Sequence, residues 1–219
     1  MPATMQLLRD RHEWEQARLN TIGGSDAAAI IGKSPYMSNV DLWRIKTGRE
    51  QPKDLSNLEI VQYGHDAEPL IRSLFALDNP IYAVDYQPDA IIRNERYPFA
   101  HASVDGLLTR KSDKAFGILE IKTATIQSAT QAAKWKDGNV PINYLIQVLW
   151  YMGVCEADFG VICAQLKKTD FKGDMYKETR QYYIDRADHE QDIRFLMLKG
   201  ETFWRYVTED KKPPIILDF

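Results

Sequence analysis

Apolar positions change period along this chain, and each change marks an element. The N-terminal part, to about residue 78, reads as helical. "DRHEWEQAR" is charged and periodic, "SDAAAIIG" offers Ser25 as an N-cap and Gly32 as a stop, and "SNVDLWRIKTG" repeats the grammar with Ser38, Asp41 and Gly48. In "EIVQYGHDAEPLIRSLFAL", Ile60, Gly64, Ala67 and Ile71 fall on one helical stripe, widened by Leu70, Leu74 and Phe75. Pro69 lies inside that stripe, which predicts a break or a fresh helix start near Glu68. From about 81 to 122 the period falls to two, in "IYAVDYQ", "AIIRNERYPFAHASVDGLL" and "AFGILEIKTA". Helices follow over "TIQSATQAAKWK" and "PINYLIQVLWYMG", the second with Pro141 in its first turn and Gly153 at its end. Two strands, "FGVICAQL" and "TRQYYIDR", precede a closing helix, "DHEQDIRFLMLKGETFWRYV". The order predicts an α+β (mixed α/β) fold, with helices flanking one central mixed sheet.

Composition narrows the class. The 219 residues, 44% hydrophobic and 27% charged, suit one large globular domain, expected to run over 1–219. Cys155 and Cys163 lie in apolar segments and read as buried free thiols of a reducing compartment; two cysteines are too few for a zinc or iron–sulfur centre. No apolar run is long enough for a signal peptide or a membrane span, so a cytoplasmic protein is expected. The net charge of −3 argues mildly against nucleic acid, although a folded surface can still gather its lysines and arginines on one side.

One stretch contradicts its own pattern. "HASVDGLLTRKSDKAFGILEIKTA" reads as two apolar strands joined by a polar turn, yet it carries Asp105, Glu120 and Lys122. Alternation puts Glu120 and Lys122 on one face, with Leu119 and Ile121 on the other, and the turn allows Asp105 to come alongside. Two ionised carboxylates at close range repel, and burial adds a penalty of several kcal/mol per ion. A divalent cation offsets both, and hard oxygen donors in small number suit Mg²⁺. A lysine beside them can screen charge developing on a phosphodiester or act on an attacking water. Taken by spacing alone, Glu-x-Lys on a strand is also compatible with a solvated face and a weak ion pair.

Three other stretches add to this. "YGHDAEPLI" places Glu68 in an apolar helix, where the bland alternative is a glutamate favoured by the helix dipole. "RLNTIGGSDAAAIIG" brings Arg18, Ser25 and the Gly23–Gly24 pair to a helix N-terminus suited to an anion, or simply capped by Ser25. In "YLIQVLWYMG", Tyr144, Gln147 and Tyr151 share a helical face, and an amide among apolar neighbours needs a partner.

With these residues in order, the chain resembles the YqaJ-like viral recombinase family, the phage lambda-type alkaline exonuclease group of the PD-(D/E)xK nuclease superfamily. The resemblance is carried by "R…IGGSDAAAIIGKSPY…LWRIKTG", "YGHDAEP", "ASVDGL", "LEIKTA" and "YLIQVLWYMGV", from about residue 18 to 153. It implies a restriction-endonuclease-like core and a Mg²⁺-dependent exonuclease that degrades the 5′-ended strand of linear duplex DNA, leaving a 3′ tail. It further implies Mn²⁺ as a substitute, a two-ion site, a ring-shaped homotrimer, a single-strand annealing recombinase as partner, and a phage or prophage origin. By the same resemblance Asp105 and Glu120 are metal ligands with the Ile121 carbonyl, Glu68 supports the metal, Lys122 is the catalytic lysine, and Gln147 helps place the nucleophile. Arg18 and Ser25 fall where the family grips a terminal 5′-phosphate, with Lys33, Arg44 and Lys46 as further basic candidates. The proline of the family motif is absent, since Val104 precedes Asp105.

Alternatives stand beside this reading. A restriction-type endonuclease would share the same trio, and a non-catalytic DNA-end-binding protein would share the fold. Paired carboxylates also serve glycoside hydrolysis, but that chemistry leaves Lys122 and the Arg18–Ser25 pair without a role.

Overall fold

In this computed structural model, residues 3–170 and 172–216 are described. The strands that carry the carboxylates lie in a five-stranded sheet, ordered β2-β5-β6-β7-β8. Its members are β2 (Tyr82–Asp85), β5 (Gly106–Arg110), β6 (Phe116–Thr125), β7 (Phe159–Thr169) and β8 (Met175–Asp185). The β6–β7 pair is parallel and the other pairings are antiparallel, so the sheet is mixed. A parallel pair needs a crossover, and α5 (Ala129–Ala133) and α6 (Ile142–Cys155) provide it. Helices cover both faces of that pair, which is why "GILEI" and "FGVICA" read as nearly continuous apolar runs.

Three layers result. On one face α4 (Glu59–Asp78) sets Ala67, Ile71 and Phe75 against Leu108, Leu119, Ile121, Phe159, Val161 and Cys163. On the other, α6 is buried from Ile146 to Cys155, with α2 (Gly24–Ile30) and α7 (Arg186–Thr208) packed against it. Close approach there depends on small residues. A Cβ on Gly200 of α7 would lie 2.5 Å from the ring of Trp150, and one on Gly24 of α2 would lie 2.5 Å from the ring of Tyr151. Both cysteines are free and buried, and burial pushes their thiols up, to about 12 for Cys155 and about 11 for Cys163.

Several expectations need correction. The described residues form two sheets, since β3 (Ala90–Arg93) leaves the meander to pair with β4 (His101–Ala102) and with an unexpected β1 (Thr4–Leu7). That first strand is exposed throughout, so no apolar alternation announces it. Helix α4 runs unbroken through Pro69. The ring removes one backbone donor on the exposed side, where the freed carbonyl can meet water. Its buried stripe is narrower than the apolar positions suggest, because Ile60, Leu70 and Leu74 are exposed. Gly153 does not end α6, which continues to Cys155 and stops at Glu156 in a left-handed conformation. Instead Gly153 lets Met197 and Ile193 of α7 come close. The cap of α3 (Asn39–Lys46) matches its pattern, Ser38 and Asp41 forming a capping box.

Candidate active site

Alternation along β6 turns Leu119 and Ile121 to the α4 side and Glu120 and Lys122 toward α6. Asp105, just ahead of β5, is stitched to β6 twice. Its N–H donates to the Leu119 carbonyl at 3.1 Å, and its Oδ2 accepts the Ile121 N–H at 2.7 Å. The side chain thus prolongs the strand ladder by one hydrogen bond. Glu120, 3% exposed, accepts at Oε1 from Lys122 Nζ and from Gln147 Nε2, each at 2.6 Å. Lys122 also donates to Gln147 Oε1 at 3.0 Å, and Gln147 Nε2 donates to the Tyr151 hydroxyl at 3.1 Å. The amide expected to need a partner therefore orients both charged groups from the crossover helix. Lys122 in turn lies 4.8 Å from the centre of the Tyr144 ring.

Glu68 is held by Arg72 one helical turn on, and Arg72 Nε also donates to the Asp105 carbonyl. The Arg72 guanidinium lies 3.5 Å from the centre of the Tyr86 ring. A cavity of about 570 Å³ is lined by Glu68, Arg72, Asp105, Glu120 and Gln147 together with Arg18, Ser25 and Ser103. Of the residues expected to serve the metal, the nucleophile and the terminal phosphate, Glu68, Asp105, Glu120, Gln147, Arg18 and Ser25 border one space; Lys122 turns its ammonium to Glu120 and Gln147, the Ile121 side chain joins the core on the α4 side, and the further basic candidates Lys33, Arg44 and Lys46 do not line it.

The second arm of the cavity comes from α1 (Arg11–Leu19) and the loop into α2. Arg18 donates to Ser25 Oγ at 3.1 Å, and the guanidiniums of Arg11 and Arg18 lie over the Trp14 ring at 3.9 and 4.2 Å. Ser25 is not the cap of α2. Gly23 is, and its N–H donates to Asp26 at 3.0 Å, because a carboxylate outcompetes a hydroxyl for a helix-start amide. Asp26 in turn meets the buried Lys46 at 2.8 Å, and Lys46 also donates to the Arg18 and Thr21 carbonyls, each at 2.8 Å. Lys46 therefore fastens the backbone that carries Arg18. Arg44 pairs with Asp41 on the surface, and neither it nor Lys33 lines the cavity.

A family model described as the YqaJ-like viral recombinase domain matches residues 13–188. The chain belongs to that family. A Bacillus subtilis member, described as uncharacterized protein YqaJ, is 33% identical over 149 residues, which are 68% of this chain and 44% of that protein. The chain thus spans less than half the length of the curated relative it matches. Among solved structures, the alkaline exonuclease LHK-Exo of Laribacter hongkongensis superposes with a TM-score of 0.59 at 18% identity, covering 91% of this chain and 97% of that one. A phage-related exonuclease from Haemophilus somnus gives 0.51 at 14% identity, covering 87% and 96%. The fold of this family member is accordingly that of phage-type exonucleases. No helix among the described residues is long and apolar enough to cross a membrane.

Within this family fold, the carboxylates are held in their protonated forms to unusually high pH. Burial, then the nearby Glu68 charge, pushes Asp105 up to about 7. Burial, then Asp105, pushes Glu120 up to about 8, and burial raises Glu68 as well. Burial alone would lower Lys122, but the Glu120 and Asp105 carboxylates outweigh it and raise the ammonium. Glu120 Oε2 is buried with no partner among the described residues. A buried acceptor left unpaired costs about 1–3 kcal/mol, and more when charged. An unused carboxylate oxygen beside a second carboxylate fits a small, hard divalent cation. No three or more His, Cys, Asp or Glu side chains among the described residues converge to hold a metal. A cation there would take its remaining ligands from backbone or water, as Mg²⁺ does.

Arg72 and Trp14 escaped the sequence reading. The first was legible as a Glu–Arg pair four residues apart; the second has no spacing signal that distinguishes it from a core tryptophan.

The raised carboxyls make stability fall with pH. A group that binds protons more tightly when folded contributes fully below its unfolded value, 4.5 for Glu120, and that contribution is lost as pH rises toward about 8. With divalent cations chelated, the unfolding free energy falls across that window, and Glu120→Gln, which cannot ionise, flattens the fall. Urea titrations at the two ends of the window check this; an equal fall in the variant would contradict it.

Proposed function

We propose that this family member is a Mg²⁺-dependent exonuclease that enters linear duplex DNA at a 5′-phosphorylated end and degrades the 5′-ended strand. The product is a 3′ single-stranded tail for a single-strand annealing recombinase, and the working form is a ring-shaped homotrimer. The observation that carries the reading is the convergence, in one cavity, of a partnerless carboxylate oxygen on Glu120 with the Arg18–Ser25 pair. One part suits a cation bridging to a scissile phosphate and the other suits a terminal anion. A solved complex of LHK-Exo with dAMP, 18% identical and with a TM-score of 0.56, shows a nucleotide bound by that protein and is compatible with this reading.

Asp105 and Glu120 would hold the metal, with the Ile121 carbonyl adding a neutral oxygen and Glu68 acting from across the cavity. When bound, Mg²⁺ supplies charge neutralisation at the phosphate and a more acidic water. The chain's own groups set the rest. Gln147 and Lys122 fix Glu120 through Oε1, which leaves Oε2 as its free donor. Lys122, a cation at neutral pH, adds positive charge to the face where a phosphorane would form and can hand a proton to its neighbours only if one carboxylate takes it. Arg72 keeps Glu68 and the Asp105 backbone in register. Arg18, stacked on Trp14, has lost little freedom left to lose on binding a phosphate.

Asp105→Asn keeps an oxygen for the Ile121 N–H but removes the charge. It is expected to leave the fold and end binding in place while lowering cleavage at least about a hundredfold. Cleavage at the wild-type rate would remove the assignment.

Arg18→Ala deletes a charge-assisted contact worth roughly 1.5–3 kcal/mol. The variant should lose about ten- to hundredfold in its preference for 5′-phosphorylated over 5′-hydroxyl ends, measured as kcat/KM on matched duplexes. An unchanged preference would place the phosphate elsewhere.

A further inference from the structure

Beyond the cavity, the β7–β8 hairpin carries an unbalanced charge. Lys167 and Lys177 are directly opposite one another in the antiparallel register. Like charges so placed are destabilising. Among the described residues neither ammonium has a carboxylate within ion-pair distance. Both instead face the ring of Tyr63, Lys167 at 3.1 Å and Lys177 at 5.0 Å from its centre. The Tyr63 hydroxyl is fixed by a hydrogen bond to Gln165, which lies two residues before Lys167 on the same face of β7. The other face of the hairpin is handled differently. There Glu178 pairs with both Lys168 and Arg180, and Arg180 also donates to the Trp135 carbonyl at 2.5 Å. On one face a carboxylate takes up both cations, and on the other two ammoniums share only an aromatic ring.

The place of that face gives it a use. It lies at the C-terminal ends of the parallel strands β6 and β7, the side on which open α/β sheets receive ligands. Lys167 pairs with Thr125, five residues beyond Glu120 on β6, so it lies roughly 16 Å along the sheet from Glu120 and on the α4 face, opposite to that of the Glu120 side chain. That span equals about five steps of duplex at 3.4 Å each. Tyr63 is on α4, the helix that brings Glu68 to the cavity. His65, Asp66 and Glu68 of the same helix line the cavity, so a duplex whose end enters there would carry further phosphates around the N-terminal part of α4, where the two lysines lie.

We propose that Lys167 and Lys177, braced on Tyr63, contact the phosphate backbone of the DNA duplex several steps from the cut. The choice of DNA as partner rests on the exonuclease reading. The contact reads charge and not sequence, so it adds grip along the duplex without base preference. A polyanion removes the repulsion that the free hairpin tolerates.

The test is binding of a 5′-phosphorylated linear duplex in EDTA as salt is raised, with the full chain and a Lys167→Gln/Lys177→Gln variant. Each phosphate contact contributes about 0.9 to the slope of log K against log salt, so the variant should be shallower by about 1.8 and weaker at low salt. Lys177→Gln alone, at an exposed position, should lose about half of that and guards against a folding defect in the double variant. Lys168→Gln, on the other face, where Glu178 already takes that ammonium, should change the slope little. An unchanged slope in the double variant, or an equal change in Lys168→Gln, overturns the proposal; the first outcome would leave the face to an acidic protein. The two readings fail separately. Binding with the expected slopes but no cleavage in Mg²⁺ would keep the contact and remove the nuclease, whereas cleavage with unmoved slopes would do the reverse. A wild-type chain that binds no duplex removes both.

Discussion

A glutamate buried in the sheet with one oxygen unpaired is the constraint around which the rest is arranged. Glu120 can be tolerated there only because its other oxygen is saturated by Lys122 and Gln147. That arrangement dictates much of the fold. Lys122 must follow at the next position on the same strand face, and Gln147 must arrive from the crossover helix that makes β6 and β7 parallel. Asp105 must be tied to the backbone of β6, or its charge would swing away from its neighbour. The raised carboxyls are the measure of what remains unbalanced. Stability is given up locally, where buried carboxylates crowd one another.

The Arg18 arm follows the opposite rule: its charges are matched inside the protein. Lys46 satisfies three oxygens at once, and Asp26 takes both that ammonium and the start of α2. Removing either partner would leave a buried charge alone, which is strongly destabilising. The matched pair holds a scaffold, while Arg18 is turned to the cavity on its Trp14 platform. A rigid scaffold with an outward guanidinium and a crowded carboxylate pair across one cavity is what the proposed binding and cleavage of an anionic polymer end would require.

How much of this was legible depended on the range of the interactions. Period two in "GILEIKTA" placed Glu120 and Lys122 correctly because strand alternation is local, and the Ser38–Asp41 box was readable because a cap spans three residues. Ser25 was misread as a cap because Asp26 gains its advantage from Lys46, twenty residues away and invisible to local grammar. The strand at Thr4–Leu7 exists only through its pairing with Ala90–Arg93. Leu70 and Leu74 looked like core because apolar residues on a helix cannot say which side the sheet will take. Gly153 looked like a stop because the need for closeness to α7 leaves no mark on the sequence. The family resemblance reached the site through short motifs, but the unpaired oxygen of Glu120 and the role of Arg72 are properties of three-dimensional placement.

The most direct measurement is digestion of one linear duplex, 5′-phosphorylated and labelled separately on each strand, with Mg²⁺ and with EDTA, beside a closed circle of the same sequence. The account predicts metal-dependent loss of both 5′-ended strands from the ends inward and an untouched circle. Cutting of the circle would contradict it in favour of an endonuclease, and an intact linear duplex in Mg²⁺ would mean that the strained carboxylates serve no cleavage at all.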